Sequence, residues 1–161
     1  MGFHFIQAFT IMILMPTICS FIECLRSKDK AKWIIVAKWI LFWTVGVRSL
    51  TAGIVQLVYP KYTAELIFNL GGTDFYIFIR ELGVANMAIG LAAIISFKCD
   101  SWRIPVAFIS LIFNLFLSLN HIIHFQAGWN EGVSLVGDLL VVVGLSVFLY
   151  KSYNKKKINH T

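Results

Sequence analysis

The sequence has few charged residues, and this shortage excludes an ordinary soluble domain. Charged side chains make up 14% of the 161 residues, while 58% are hydrophobic; soluble domains average about 25% charged residues. A soluble protein this short could not bury so much apolar surface in one core. The apolar runs are continuous over about 20 residues rather than alternating over about 10, which disfavours a β-barrel. The composition therefore predicts an all-α, polytopic transmembrane helix bundle.

Several sequence signals of known activities are also missing. The sequence has no phosphate-binding loop, dinucleotide-binding glycine pattern, nucleophile elbow or zinc-protease motif, so it carries no recognised enzyme signature. The 3 cysteines include no Cys-x-x-Cys pair, and we expect free thiols. The first residues lack the basic segment and cleavage site of a signal peptide, so we expect the first apolar run to remain as a helix. No cofactor is predicted.

Five apolar runs are long enough to cross a bilayer, which takes about 20 helical residues. Pro16 is expected to kink the first run, and Pro60 ends the second. A short helix lying in the membrane interface is expected at 64–70, in the connector that follows. The predicted spans form one bundle of residues 1–150, followed by a basic cytoplasmic tail at 151–161; they are residues 3–23, 33–59, 75–97, 104–125 and 132–150.

Positive charges are concentrated at one end of this predicted bundle. The loop after the first span holds four Lys and Arg residues, the turn before the fourth span two and the tail four, against Lys61 alone at the other end. Because basic loops stay cytoplasmic, we expect the N-terminus outside, the C-terminus inside and a multi-pass protein of the cell membrane. The lipid bilayer is the expected partner and nucleic acid is not, while a homo-oligomer or a subunit role in a membrane complex stays open.

Charged side chains inside the predicted spans need partners, because a lone charge in lipid costs several kcal/mol. Arg48 and Arg80 balance Glu81 and Asp138 in charge. We expect Arg48 to pair with Glu81 or Asp138, most simply as a structural ion pair. We also expect Glu81 to point into the bundle, because it begins a stripe of small residues that would let another helix approach closely: Ala85, Ala88 and Ala92.

The fourth span adds neutral polar groups at helical spacing. Asn114 and Ser118 predict hydrogen bonds between helices, with ligand contact as the alternative. His121-x-x-His124 could ligate a metal with a carboxylate, but hydrated histidines are the simpler interpretation, and no metal site is predicted. We expect a polar pocket in the outer half of the membrane, roofed by the two histidines and the connector. Its candidate binding residues are Arg48, Arg80, Glu81, Asn86, Asn114, Ser118, His121, His124 and Asp138.

Several runs resemble a family of small prokaryotic membrane proteins that is known only as a domain of unknown function. They are KWILFWTVGVRSLTAG and RELGVANMAIGL, followed by SWRIPVAF, NHIIHF and GDLLVVV, and the similarity covers residues from about 38 to 150. The most specific pieces, GVRSLTAG and RELGVAN, contain Arg48, Arg80, Glu81 and Asn86. In size and helix count the chain is also loosely similar to bundles of the DoxX type, some of which serve quinone-linked redox systems. The family resemblance implies a membrane protein and implies no activity.

These residues favour a non-enzymatic membrane protein, either an accessory subunit or a bundle that binds a lipid or small ligand in the polar pocket. The alternative is a membrane-embedded enzyme or redox protein that uses Glu81, Asp138, His121 and His124. A second alternative is an oligomeric transporter, since five spans without an internal repeat do not fit a standalone carrier.

Overall fold

The computed structural model of the chain describes residues 2–27, 31–68, 70–123 and 129–158, and these residues form helices and no strand. The first two helices each contain a π-helical segment. Helix α1 consists of Gly2–Phe9, the π-helical Thr10–Leu14 and Met15–Arg26; α2 consists of Lys32–Trp39, the π-helical Ile40–Val47 and Arg48–Val58. The remaining helices are α3 (Tyr76–Ile95), α4 (Asp100–Ile123) and α5 (Trp129–Ile158), with a short π-helical segment, Tyr62–Ile67, and a 3₁₀ turn, Thr73–Phe75, between α2 and α3.

All five helices contain a segment long and apolar enough to cross a membrane, as the sequence predicts. The segments are Ile6–Arg26, Lys32–Val58, Thr73–Ile95, Asp100–Ile123 and Gly132–Lys155. The first is the least buried, at 17% of its apolar window against 28% to 33% for the others. Helix α5 continues to Ile158, whereas the sequence predicted that the last span ends at residue 150 and is followed by a polar tail. Lysines are good helix formers and are favoured near a helix C-terminus, where they meet the negative end of the dipole.

Successive helices run in opposite directions, so the turns between them lie at two ends of the bundle. The basic end contains the end of α1, the start of α2, the turn at residues 96–99 between α3 and α4, and the end of α5. The connector end is opposite and carries the connector, residues 59–75. The connector packs onto the bundle, since Thr63 is 3% exposed and Ala64 is fully buried. Its helical segment begins two residues before the predicted one.

Glycines bring α2 and α3 into backbone contact. A Cβ atom at Gly53 would lie 2.7 Å from the carbonyl oxygen of Gly83, and one at Gly90 would lie 2.9 Å from that of Gly46. On each helix the two glycines are seven residues apart, which is about two helical turns. Small residues of this kind let membrane helices approach closely. The face of α3 that packs on α2 is therefore the glycine face, which also carries the buried Asn86.

The π-helical segments of α1 and α2 meet each other. Pro16 has no N–H group, so the Met12 carbonyl one turn earlier lacks its α-helical donor. The Thr44 hydroxyl, in the π-helical segment of α2, donates to that carbonyl at 3.3 Å. The kink expected at Pro16 thus takes the form of a π-helical segment before the proline, and a side chain from the neighbouring helix supplies the missing donor.

Apolar and polar residues occupy different halves of the bundle interior. The apolar core lies toward the basic end, where α2, α3, α4 and α5 pack through Leu41, Val45, Ala93, Ala107, Val141 and Leu145. Toward the connector end, the buried residues are largely polar, including Gln56, Asn86, Asn114, Ser118, His121 and Asp138. The fold therefore places a polar cluster in one half of an otherwise apolar bundle.

Candidate functional site

Asp138 joins three helices at the centre of the polar cluster. Its side chain on α5 is 1% exposed and accepts a hydrogen bond at Oδ1 from Nη2 of Arg48 on α2. Its other oxygen, Oδ2, lies 3.8 Å from Nε2 of His121 on α4. Because a charged group in a bundle interior is costly without a partner, the ion pair gives Arg48 and Asp138 the partner that each needs.

Glycine and the π-helical segments make room for this pair. Arg48 is the first residue after the π-helical segment of α2. Gly137 precedes Asp138, and a Cβ atom at that position would overlap Met12 of α1 and lie 3.6 Å from Nη1 of Arg48. The absence of a side chain at Gly137 therefore lets α1 pack over the arginine.

Arg48 also forms part of the wall of a polar cleft at the connector end. The cleft has a volume of about 210 Å³ and lies between α1, α2, α5 and the connector. The Arg48 side chain is 26% exposed, so the ion pair with Asp138 does not bury it completely. The connector contributes residues to the cleft, and the polar residues that line it are Gln7, Arg48, Thr51, Gln56, Tyr62, Thr63 and Ser134.

A larger, mainly apolar groove adjoins this cleft on the side of the basic end. The groove has a volume of about 630 Å³ and shares Met12 with the cleft. One face of α2 lines both, at successive turns of the helix. Val36, Ile40 and Thr44 line the groove, and Arg48, Thr51 and Val55 line the cleft. The two cavities therefore adjoin each other along α1 and α2, and Arg48 lines the one at the connector end.

Asn86 has a partner that the sequence analysis missed. Its Nδ2 donates to Oε1 of Gln56 at 2.9 Å, and both residues are 8% exposed. Gln56 also lines the polar cleft, so this hydrogen bond joins α3 to the wall of the cleft. Gln56 could have been found in the sequence as a single amide side chain inside the second apolar run, because a polar group in a membrane span needs a hydrogen-bond partner.

Asn114 and Ser118 are buried on α4, but they do not reach the polar cleft. Asn114 Nδ2 donates to the Ser110 carbonyl at 2.7 Å, and Ser118 Oγ donates to the Asn114 carbonyl at 2.8 Å. The sequence predicted hydrogen bonds between helices, whereas these donated bonds stay within α4. In each case the accepting carbonyl lies four residues earlier in the chain. Polar side chains in helices often form such local bonds to the backbone.

The expectation that Glu81 points into the bundle is wrong, since Arg80 and Glu81 are both exposed. Spacing placed Glu81 on the stripe of alanines, but α3 packs through its glycines, which permit closer backbone approach. Arg48 therefore pairs with Asp138 and not with Glu81.

Of the two histidines singled out in the sequence, the structure describes His121. His124 lies outside the described residues. The His121 ring stacks on Phe68 of the connector at a centroid separation of 6.4 Å, so the connector covers α4 here. Within the described part of the chain, no three His, Cys, Asp or Glu residues are grouped so that they could hold a metal ion.

Comparison with known proteins gives one match. A family described as a family of unknown function (DUF6790) matches residues 6–157. No curated protein and no solved structure matches the chain.

Proposed function

The chain belongs to DUF6790, a family of unknown function, and we propose that its function is to bind a lipid-like molecule or small amphiphile between α1, α2 and α5. The observation that supports this proposal is the position of Arg48, on the wall of a cleft that adjoins a larger apolar groove at Met12. A site with a polar and an apolar part matches a ligand with a polar head and an apolar tail.

The cleft favours a head that accepts hydrogen bonds. A guanidinium group carries five N–H donors, and the hydrogen bond shown for Arg48 is the one to Asp138. Since Asp138 neutralises the arginine, the cleft offers donors rather than a net positive charge. The matching head groups are carbonyl, ester or carboxyl oxygens.

The groove favours an apolar tail. Its volume, about 630 Å³, lies within the range of about 300 to 1,000 Å³ that is usual for ligand pockets. Most of its lining is apolar, including Ile13, Phe21, Ile40 and Leu140. Helix α1 forms one wall and is the least buried of the five spans, so it is the helix whose displacement would disturb the fewest contacts during ligand entry.

The enzyme and transporter hypotheses have no comparable support. An enzyme or redox centre was expected to combine Glu81 with Asp138 and His121, but Glu81 is exposed while Asp138 and His121 are buried. We propose the cytoplasmic membrane of a prokaryote as the location, with the N-terminus outside, which would place the cleft in the outer leaflet. A role as an accessory subunit or in a homo-oligomer is compatible with ligand binding.

The proposal is tested by filling the cleft. Ala52 lines it, so an Ala52→Phe substitution should block the head-group position. Protein purified in mild detergent is extracted with organic solvent, and the extract is analysed by mass spectrometry. We expect the wild-type extract to contain an amphiphile that is enriched over bulk membrane lipid and is at least about tenfold depleted in Ala52→Phe, a loss of about 1.4 kcal/mol of binding free energy.

The matched control is Ala88→Phe, because Ala88 is exposed on α3 and does not line the cleft. This variant should retain the amphiphile, and both variants should elute as folded protein in size-exclusion chromatography. Absence of any enriched molecule from the wild-type protein would count against the proposal. Equal retention by Ala52→Phe and Ala88→Phe would do the same.

A further inference from the structure

We infer that the basic end carries a second, separate site, which binds the phosphate of an acidic phospholipid. A cleft of about 360 Å³ opens there between α2, α4 and α5. It combines two cationic side chains, Arg103 and Lys155, with an aromatic wall. None of its lining residues belongs to the polar cleft or the apolar groove described above.

Arg103 is buried but incompletely bonded. Its side chain is 8% exposed, and its Nη2 donates to Asp100 Oδ1 at 2.6 Å and to the Ser96 carbonyl at 3.4 Å. Its Nε is buried and has no hydrogen-bond partner in the described part of the chain. A guanidinium carries five N–H donors, and Arg103 lines the cleft, so an anion there can accept hydrogen bonds from the part of the group that faces it.

Asp100 occupies the position of an anion beside Arg103. Its carboxylate is 84% exposed, so it can move into solvent when a phosphate takes over its hydrogen bond with Arg103. A phosphate group would replace it and would also meet Lys155, which lines the same cleft. With Asp100 turned away, the two cationic side chains face the phosphate without a competing carboxylate.

The walls of the cleft favour a lipid over free phosphate. The rings of Trp33 and Phe148 pack with centroids 5.7 Å apart, and Ile34 and Ile104 complete the apolar wall. Asp100 begins the fourth membrane segment and Lys155 ends the fifth, so the cleft lies where a span leaves the membrane and phospholipid phosphates are found. Basic pockets between helices at this level bind acidic head groups in other membrane proteins.

The test uses the full chain in detergent and native mass spectrometry. The protein is titrated with phosphatidylglycerol or with phosphatidylcholine, and bound lipid is counted. We expect preferential retention of one phosphatidylglycerol molecule. Lys155→Gln should weaken this binding about fivefold, since a lysine near an acidic lipid surface contributes about 1 kcal/mol. Asp100→Asn should strengthen it, because the competing carboxylate charge is removed.

Matched variants separate this site from general charge effects and from the proposed function. Lys151→Gln removes the same charge one turn earlier on α5, from a residue that does not line the cleft, and should have little effect. Ala52→Phe should leave phosphatidylglycerol binding unchanged whether or not it blocks the site between α1, α2 and α5.

Three outcomes would overturn the inference. Equal binding of the two lipids is the first, and equal effects of Lys155→Gln and Lys151→Gln are the second. The third is full competition by soluble glycerol phosphate at the same concentration as the lipid, which would identify the ligand as a free phosphate ester.

Discussion

At the level of single residues, some contacts can be predicted from the sequence and others cannot. Charge balance and depth along the helices predict that Arg48 pairs with an acidic residue, and the structure pairs it with Asp138. The same reasoning placed Glu81 inside, where it is not. Spacing fixes the depth of a residue in a helix, but the face that packs depends on the neighbouring helix. On α3, glycines and alanines form competing stripes, and only backbone contact with α2 distinguishes them.

The Arg48–Asp138 pair should behave as a unit. Arg48→Gln should destabilise the protein by about 3 to 5 kcal/mol, because it leaves a buried carboxylate without its partner. The double variant Arg48→Gln/Asp138→Asn should be less destabilised than Arg48→Gln alone, because it removes both charges. Thermal unfolding of the purified proteins in detergent measures the difference.

Lys61→Gln is the control for this comparison. Lys61 lies 3.9 Å from Glu65, four residues later, and both side chains are substantially exposed, so its loss should cost about 0.5 kcal/mol or less. If Arg48→Gln unfolds at the wild-type temperature, the pair does not stabilise the bundle.

At the level of elements, the sequence predicts which helices exist but not their internal geometry. Long apolar runs predict five helices that are long and apolar enough to span a membrane, although α5 continues beyond its predicted end to Ile158. Pro16 gives a physical reason for the π-helical segment of α1. The π-helical segment of α2, Ile40–Val47, contains no proline, and nothing in its sequence predicts it. The apolar groove depends on both segments, which is why apolar periodicity could not reveal it.

The glycine contact between α2 and α3 should tolerate no side chain. A Cβ atom at Gly90 would lie 2.7 Å from the Leu50 nitrogen, and backbone cannot yield as a flexible side chain can. Gly90→Ala should therefore destabilise the protein by about 1 to 3 kcal/mol, the usual cost of overpacking. Thermal unfolding in detergent is again the measurement.

Gly132→Ala provides the comparison, because a Cβ atom there would meet nothing within 4 Å. In a helix this change should be neutral or stabilising by about 0.5 to 1 kcal/mol. Equal unfolding temperatures for the Gly90 and Gly132 variants would mean that the two helices do not pack as described.

At the level of the whole molecule, the five-helix bundle follows from composition, whereas its orientation follows from charge alone. The distribution of Lys and Arg residues distinguishes the two ends of the bundle, and no contact within the protein depends on which side of the membrane each end faces. The packing is therefore described by the structure, and the orientation is a prediction from charge.

The charge asymmetry predicts a cytoplasmic C-terminus. A green fluorescent protein fused after residue 161 should fluoresce, and alkaline phosphatase fused at the same position should be inactive, because it needs an oxidising compartment. Fusions after residue 71, in the connector, should give the opposite result. A fluorescent connector fusion together with an active C-terminal phosphatase would show that the orientation is reversed.

The π-helical segment of α2 has a consequence for how this protein tolerates changes in length. A π-helical turn holds more residues than an α-helical one, so the segment contains more residues than the same number of α-helical turns would. Deleting one residue from Ile40–Val47 would let the hydrogen-bond ladder close as an α-helix. Because the wider turns hold the extra residue, this closure would leave Arg48 facing nearly the same way relative to the apolar half of the helix. The segment can therefore lose one residue without changing which way the polar half of α2 faces, whereas a deletion in a regular α-helical part would rotate one half by about 100° relative to the other.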